Sequence, residues 1–157
     1  MTKLRILAAA MAFGCTLAPA AGGTEELPLP TDGRTVCLAA GHRGAPVPDG
    51  PVTAVSLSLE DGEYGFYFWL AAEFRDRSGE GFVAGGTCRH DDGRFVCPID
   101  GDGGWFHLEP APGGGVRLRS ETGLRLESID REEDDPSYRT TLRTEHLLVP
   151  VPRSTCP

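Results

Sequence analysis

Two cysteines, Cys88 and Cys97, lie symmetrically around an aspartate-glycine pair at residues 92–93. An Asp-Gly pair favours the type I′ turn, in which both central residues have a positive φ. A two-residue turn there places Cys88 opposite Cys97 in a non-hydrogen-bonded pair, where α-carbons are about 4.5 Å apart. Disulfides need a separation of about 4.4–6.8 Å. We therefore predict a β-hairpin closed by a Cys88–Cys97 disulfide.

The rest of the chain also has the pattern of short strands separated by turns. Residues 64–70 (YGFYFWL) are apolar on both faces, which predicts a central strand with Tyr67 and Trp69 in the core. Residues 71–77 fit either an extension of that strand or one helical turn. Other strands are predicted at 52–59, 81–89, 94–99, 105–109, 116–119, 124–129 and 142–149. With 21 Gly and 13 Pro and no helical period, we predict an all-β fold, a single small antiparallel barrel or sandwich of about eight short strands.

An acidic turn at residues 102–103 follows the cysteine hairpin. A two-residue turn there places Ile99 opposite Phe106, and Cys97 opposite Leu108, on one inward face. In the strand at 105–109, the alternate positions then share an outward face, and they are Trp105, His107 and Glu109. Exposed tryptophan on a sheet commonly anchors a partner, so this is the candidate partner-binding face. The alternative is that this face packs beneath a loop or a second sheet.

A three-residue loop is predicted at residues 121–123, where glycine suits the left-handed position. This loop pairs Leu118 with Leu126. The charged side chains of these two strands then point outward, and they are Arg117, Arg119, Arg125 and Glu127.

Residues 1–20 have the organisation of a secretory signal peptide. Lys3 and Arg5 precede an apolar stretch that is too short to cross a bilayer, and Ala18-Pro19-Ala20 supplies a small-x-small cleavage pattern. A lipid anchor at Cys15 is the alternative. The residue three positions before that cysteine is Ala12 rather than the usual leucine, which argues against the anchor.

The domain organisation follows from this boundary. We predict a signal peptide over residues 1–20, a flexible tether over 21–36 and one β domain over 37–157. The protein is then exported, to the periplasm or outside the cell, without a membrane span. Four cysteines in an exported domain usually form two disulfides. With Cys88 paired to Cys97, elimination leaves a Cys37–Cys156 bond.

Composition excludes several chemistries. The chain has no Asn or Gln, and its only lysine is Lys3, so the mature domain lacks the amine that Schiff-base chemistry or a phosphate-binding loop requires. The net charge is −8, and it becomes about −10 once Lys3 and Arg5 are removed. An acidic chain is a poor nucleic-acid binder, because contact with phosphates needs a basic face.

No cofactor, metal site or catalytic residue is predicted. The four histidines lack the short paired spacing of zinc ligands, and we interpret them as scattered surface residues: His42, His90, His107 and His146. Residues 98–109 begin with proline where a calcium loop needs a carboxylate, so they are interpreted as an acidic hairpin turn. No Gly-x-Ser-x-Gly elbow occurs. The acidic run at 130–135 is interpreted as a solvated loop, with a docking patch for a basic partner as the alternative.

Three segments carry a resemblance to an uncharacterised family of small exported bacterial β-rich proteins with paired cysteines. They are CLAAGH at 37–42, GTCRHDDGRFVCPIDGDGGWFHLE at 86–109, and the terminal cysteine, together with a late Leu-Arg-Leu-Glu strand at 124–127. The resemblance implies a β-rich, disulfide-bonded domain and no transferable activity.

The leading functional hypothesis is an exported, non-catalytic binding module for a protein or a surface polymer. One version is an inhibitor of a basic hydrolase such as lysozyme, because an acidic protein attracts a cationic partner. The alternatives are a small-molecule or metal carrier that uses the barrel interior, and an enzyme.

Overall fold

A computed structural model describes residues 26–31, 33–41 and 44–156. In these ranges the regular structure consists of eight strands and three short 3₁₀ turns, and the strands form a closed antiparallel barrel. The strands are β1 (Val36–Ala40), β2 (Val52–Gly62), β3 (Gly65–Phe74), β4 (Phe82–Asp91), β5 (Arg94–Pro98), β6 (Trp105–Ala111), β7 (Gly115–Ser128) and β8 (Arg139–Pro150). The 3₁₀ turns are Arg75–Arg77, Pro112–Gly114 and Arg153–Thr155. The all-β prediction is confirmed, and the architecture is the barrel.

The strands follow one another around the barrel in chain order. β8 closes the ring on β1 through two residue pairs, Leu38 with Pro150 and Ala39 with Val149. β5 and β6 are short, so the start of β4 pairs directly with the end of β7 beyond them. None of the helices in the described ranges has the length and apolar character needed to cross a bilayer.

The predicted Cys88–Cys97 hairpin is confirmed. β4 and β5 pair in the predicted register, with His90 opposite Phe95. Asp92 and Gly93 both have a positive φ, of 43° and 78°, as the turn requires. Cys88 and Cys97 form a disulfide with their α-carbons 4.0 Å apart, and both side chains are fully buried inside the barrel.

The Cys37–Cys156 disulfide is also confirmed, and it lies on the outside of the barrel. It spans 119 residues and fastens the C-terminal 3₁₀ turn to β1. The Val151 amide donates to the Cys37 carbonyl at 2.9 Å, and the sulfur of Cys156 lies 3.6 Å from the Leu57 carbonyl oxygen. The C-terminal segment therefore covers the outer face where β1 meets β2.

Large apolar side chains fill the barrel interior. Three phenylalanines and nine leucines are essentially fully buried there. The rings of Phe68 and Phe106 meet edge to face with their centroids 4.9 Å apart, which is a favourable aromatic geometry. An eight-stranded barrel has an interior just wide enough for such packing.

The predicted register at residues 102–103 is wrong by two residues. Cys97 pairs with Phe106, and Phe95 pairs with Leu108, so the inward faces are as predicted but the partners are not. The reason is that Ile99 bridges to Gly86 on β4 instead of continuing β5. Residues 99–104 consequently form a six-residue loop, closed by a 2.9 Å bond from the Ile99 amide to the Gly104 carbonyl.

The predicted hairpin at residues 121–123 is also wrong. β7 continues through this segment with only an irregularity between Ser120 and Leu124, and it pairs along its length with β8. Leu118 therefore faces His146, and Leu126 faces Thr140. The long partner strand supplies hydrogen bonds on both sides of the irregularity, which favours a bulge over a turn. Among the residues predicted to point outward, Arg117, Arg119 and Arg125 are exposed, and Glu127 is half-buried.

Residues 71–77 were predicted as either an extension of the strand or one helical turn, and each form occurs in part of the segment. β3 continues to Phe74, and a 3₁₀ turn follows it. The predicted signal peptide, including Cys15, lies outside the described residues. Residues 26–31, within the predicted tether, have no regular secondary structure, and Leu27 packs against the core.

Candidate functional site

Three large aromatic residues of the β2–β3 hairpin are exposed on the outside of the barrel. Tyr64, in the turn between the strands, is 85% exposed, and Tyr67 and Trp69 on β3 are each 53% exposed. Tyr67 and Trp69 are two residues apart and so share one side of the strand. These three residues are termed the aromatic face.

The prediction that Tyr67 and Trp69 belong to the core is wrong, and their neighbours explain why. Trp69 lies between Ser58 on β2 and Gly85 on β4. These side chains are too small to cover an indole ring. The outer side of the barrel is open to solvent at Tyr67 and Trp69, and Phe68, on the opposite side of β3, is the buried residue. In the sequence, the small or polar residues at the matching positions of the adjacent strands were the sign that Trp69 would be exposed.

A groove of about 170 Å³ lies beside Trp69. Its floor is formed by small and apolar residues of β4 and of the 99–104 loop, and its rim is charged. This Trp69 groove is lined by Trp69, Val83, Ala84, Gly85, Ile99, Asp100, Asp102, Gly103, Arg125 and Glu127.

Backbone hydrogen bonds fix the loop that forms one wall of the groove. The Asp100 amide donates to the Gly85 carbonyl of β4 at 3.0 Å. The Arg125 amide of β7 donates to the Gly103 carbonyl at 2.8 Å. The backbone of the loop is thus attached to strands on both sides.

Ion pairs order the charged rim. Arg125 pairs with Asp102, and the hydrogen bond from its guanidinium lowers the pKa of Asp102 below the usual value. The Arg139 guanidinium donates to Glu127 at 3.0 and 3.2 Å, and the Tyr138 hydroxyl donates to the same carboxylate at 3.1 Å. The bond to Glu127 raises the pKa of Tyr138. The rim therefore presents carboxylate acceptors and guanidinium donors in fixed positions.

The predicted partner-binding residues Trp105, His107 and Glu109 point outward from β6, but they form a more closed surface. The rings of Trp105 and His107 pack edge to face with centroids 4.7 Å apart. His107 is only 7% exposed, and Trp105 and Glu109 are half-buried. Within the described part of the chain, His107 Nδ1 has no hydrogen-bond partner. The structure brings Trp105 and His107 into contact and places Glu109 on the same side of β6, but Trp105 is less exposed than Trp69.

The interpretation of the histidines as surface residues is wrong for two of them. His107 is buried on the outer face, and His146, 3% exposed, points into the barrel. Burial lowers the pKa of His146. His90 is exposed and packs against Phe95, and His42 lies outside the described residues. In the described ranges no group of three or more His, Cys, Asp and Glu side chains is arranged to hold a metal ion.

The acidic run at 130–135 is organised around one arginine. Arg131 donates to both oxygens of Glu80, at 2.5 and 3.0 Å, and to Asp135 at 3.0 Å. Hydrogen bonds from Ser137 contribute most to the low pKa of Asp135, which is about 2. Part of the run is thus engaged in contacts within the protein.

A larger and mostly apolar cavity, of about 540 Å³, lies where the 47–52 segment approaches β8. It is termed the loop cavity. Its apolar lining is Val47, Pro48, Pro51, Val52 and Phe74, with His146, Arg143 and Glu145 on the β8 side.

The fold and its surfaces define a small antiparallel β-barrel protein with one disulfide inside the barrel and one outside. Comparison with protein-family models, with curated proteins and with solved structures gives no match.

Proposed function

We propose that this protein is an exported, non-catalytic binding module that holds a protein or a surface polymer on its aromatic face. The observation that carries the proposal is the exposure of Tyr64, Tyr67 and Trp69 on one hairpin. Exposed apolar patches on soluble proteins often mark an interaction site. Trp and Tyr are also the residue types that most often dominate binding energy.

Two other features support this role. The barrel interior is filled by large apolar side chains, which favours binding at the surface over transport of a ligand inside. Two disulfides suit a protein that works outside the reducing cytoplasm. If the partner is a protein, the acidic balance favours a cationic one, such as a basic hydrolase.

The test is retention of partners by the immobilised, disulfide-intact protein. Secreted proteins, periplasmic proteins, isolated cell-wall polymer and lysozyme are each applied at low and high salt. The Tyr67→Ser/Trp69→Ser variant removes the two β3 residues of the aromatic face, and Leu147→Ser is the matched control, because Leu147 is 43% exposed on β8. We expect retention by the wild type and the control and its loss in the double variant. Equal retention by all three proteins contradicts the proposal.

The loop cavity favours a second candidate function, the binding of a small apolar molecule. Ligand sites are typically apolar clefts of about 300–1,000 Å³ with a few polar groups, and the loop cavity fits this description. The Val47→Trp variant should fill the cavity and abolish enhancement of anilinonaphthalene sulfonate fluorescence, whereas Trp69→Ser should leave it unchanged. Enhancement that persists in Val47→Trp contradicts this candidate.

A further inference from the structure

We infer that the Trp69 groove binds a neutral glycan, with one sugar ring stacked on the Trp69 indole and its hydroxyls bonded to the charged rim. This inference rests on the proposed binding role of the aromatic face and specifies the chemical class of its ligand.

The Trp69 indole borders Gly85 on the outer side of the barrel. A Cβ atom built on Gly85 would lie 3.5 Å from Cζ3 and 3.6 Å from Cε3 of the indole, so the six-membered part of the ring lies beside the glycine. With 53% of the residue exposed, much of the indole is open to solvent. The face of an aromatic ring carries negative charge density, and it attracts the weakly positive C–H groups on the flat side of a pyranose.

The groove beside the indole has room for one ring-sized group and is bordered by hydrogen-bonding groups. Asp100, Asp102 and Glu127 supply acceptors, and Arg125 supplies donors. Sugar hydroxyls both donate and accept, so they can use both kinds of group. The loop is attached to β4 and β7, so little ordering entropy is lost when a ligand binds.

Charge balance distinguishes a glycan from a cationic partner. Two of the three carboxylates of the groove are paired with arginines, Asp102 with Arg125 and Glu127 with Arg139. At Asp102 and Glu127 a cationic ligand would have to compete with the guanidinium groups that already hold these two carboxylates. A neutral hydroxyl-rich ligand can use the remaining acceptor positions without breaking either ion pair.

Tyr67 extends the platform along β3. It lies two residues from Trp69, about 6.6 Å along the strand, on the same outward side. Its cross-strand neighbours are Glu60 and Thr87, which are also polar. Two aromatic side chains in line favour a chain of sugar rings over a single monosaccharide.

The first measurement is fluorescence titration of the full, disulfide-intact protein carrying Trp105→Phe, in which Trp69 is the only tryptophan. The probes are cellohexaose, maltohexaose and the hexamer of N-acetylglucosamine, with hexalysine as a cationic comparison. We expect at least one oligosaccharide to change the Trp69 emission at millimolar concentration or below. The affinity should change less than about twofold between 50 and 500 mM salt, because screening affects charged ligands far more than neutral ones.

Calorimetry on the variants then places the ligand. Trp69→Ala should weaken oligosaccharide binding at least about tenfold, as expected for a central aromatic anchor. Trp69→Phe should retain part of the affinity, because it keeps an aromatic face, and Leu147→Ala should bind like the wild type. Equal affinity of Trp69→Ala and the wild type overturns the inference.

Two further outcomes separate this inference from the proposed function. If none of the three oligosaccharides binds but hexalysine binds in a salt-sensitive way through Trp69, the glycan inference is overturned and the binding role of the aromatic face stands. If no oligosaccharide binds and the Tyr67→Ser/Trp69→Ser variant retains partners as well as the wild type does, both are overturned.

Discussion

The two tryptophans of this chain both point outward from the barrel, yet their surroundings differ. Trp69 lies beside Gly85, which has no side chain, and is 53% exposed. Trp105 is half-buried, faces Pro98 across the strand pair and packs edge to face on His107. Both residues lie on strands whose alternate side chains point inward, so the pattern of their own strands does not explain the difference in exposure. The size of the cross-strand neighbours decides which indole remains available to a partner.

The largest expected effect concerns the disulfide on each side of this comparison. Cys37, of the outer disulfide, pairs across the strands with Ser58, and the other cross-strand neighbour of Ser58 is Trp69. Cys97, of the inner disulfide, precedes Pro98, which faces Trp105. The outer bond closes a loop of 119 residues and the inner bond a loop of 9. On chain entropy, replacing both outer cysteines with alanine should lower the free energy of unfolding by about 5 kcal/mol, against about 3 kcal/mol for the inner pair.

Urea denaturation of the two double-alanine variants measures this difference directly. The wild type under reducing and oxidising conditions is the control for nonspecific effects of substitution. If removing the inner disulfide lowers the free energy of unfolding as much as removing the outer one, loop length does not determine how much each disulfide stabilises the protein.

The next effect compares two adjacent glycines on β4 that face opposite sides of the barrel. A Cβ atom at Gly86 would lie 2.2 Å from the Pro98 carbonyl oxygen and 2.9 Å from the Phe68 ring, whereas at Gly85 its nearest contact is 3.5 Å. Gly86→Ala should therefore destabilise the protein by about 3 kcal/mol or prevent folding. Gly85→Ala should change stability by less than about 0.5 kcal/mol and keep Trp69 in place.

Thermal unfolding with tryptophan emission as the probe tests both alanine variants. A Gly85→Ala variant as unstable as Gly86→Ala would show that the indole and the sheet are packed more tightly than a 3.5 Å contact implies. The size of the cross-strand neighbours would then not explain why Trp69 is more exposed than Trp105.

A smaller effect separates the tryptophans themselves. Full truncation of a buried aromatic residue costs about 3–5 kcal/mol, so the half-buried Trp105 should cost about 2 kcal/mol in Trp105→Ala. Trp69→Ala should cost less than about 1 kcal/mol, because much of the ring is already in water. Urea titrations of the two variants measure the difference, and a larger loss in Trp69→Ala would contradict this assignment of roles.

The sequence predicted local features well. The Cys88–Cys97 hairpin depends on an Asp-Gly turn and on equal spacing to each cysteine, and both are visible within ten residues. The second disulfide followed by elimination once the first was assigned. These features need no knowledge of which distant strands meet.

Features that depend on distant partners were predicted poorly. The 121–123 segment resembles a turn, but β8 pairs on both sides of it and keeps β7 continuous. Ile99 pairs with Gly86 from an earlier strand, which shifts the next register by two residues. Trp69 lies in a stretch that suits a core strand, and only the positions of Ser58 and Gly85 beside it leave the indole exposed.

The smallest expected effect concerns the charged rim beside Trp69. The hydrogen bond from Arg125 lowers the pKa of Asp102 in the folded protein, whereas the unfolded chain should have the ordinary value near 3.9. The ion pair should therefore stabilise the fold fully above about pH 4 and lose that contribution as the pH falls through the lower folded pKa. Arg125→Leu should raise the pKa of Asp102 in a carboxyl-carbon NMR titration. Arg117→Leu, which breaks the separate 2.8 Å pair with Glu145, should leave it unchanged. If Asp102 titrates identically in the wild type and Arg125→Leu, Arg125 does not set the charge of the rim, and the argument that the groove suits a neutral ligand loses its basis.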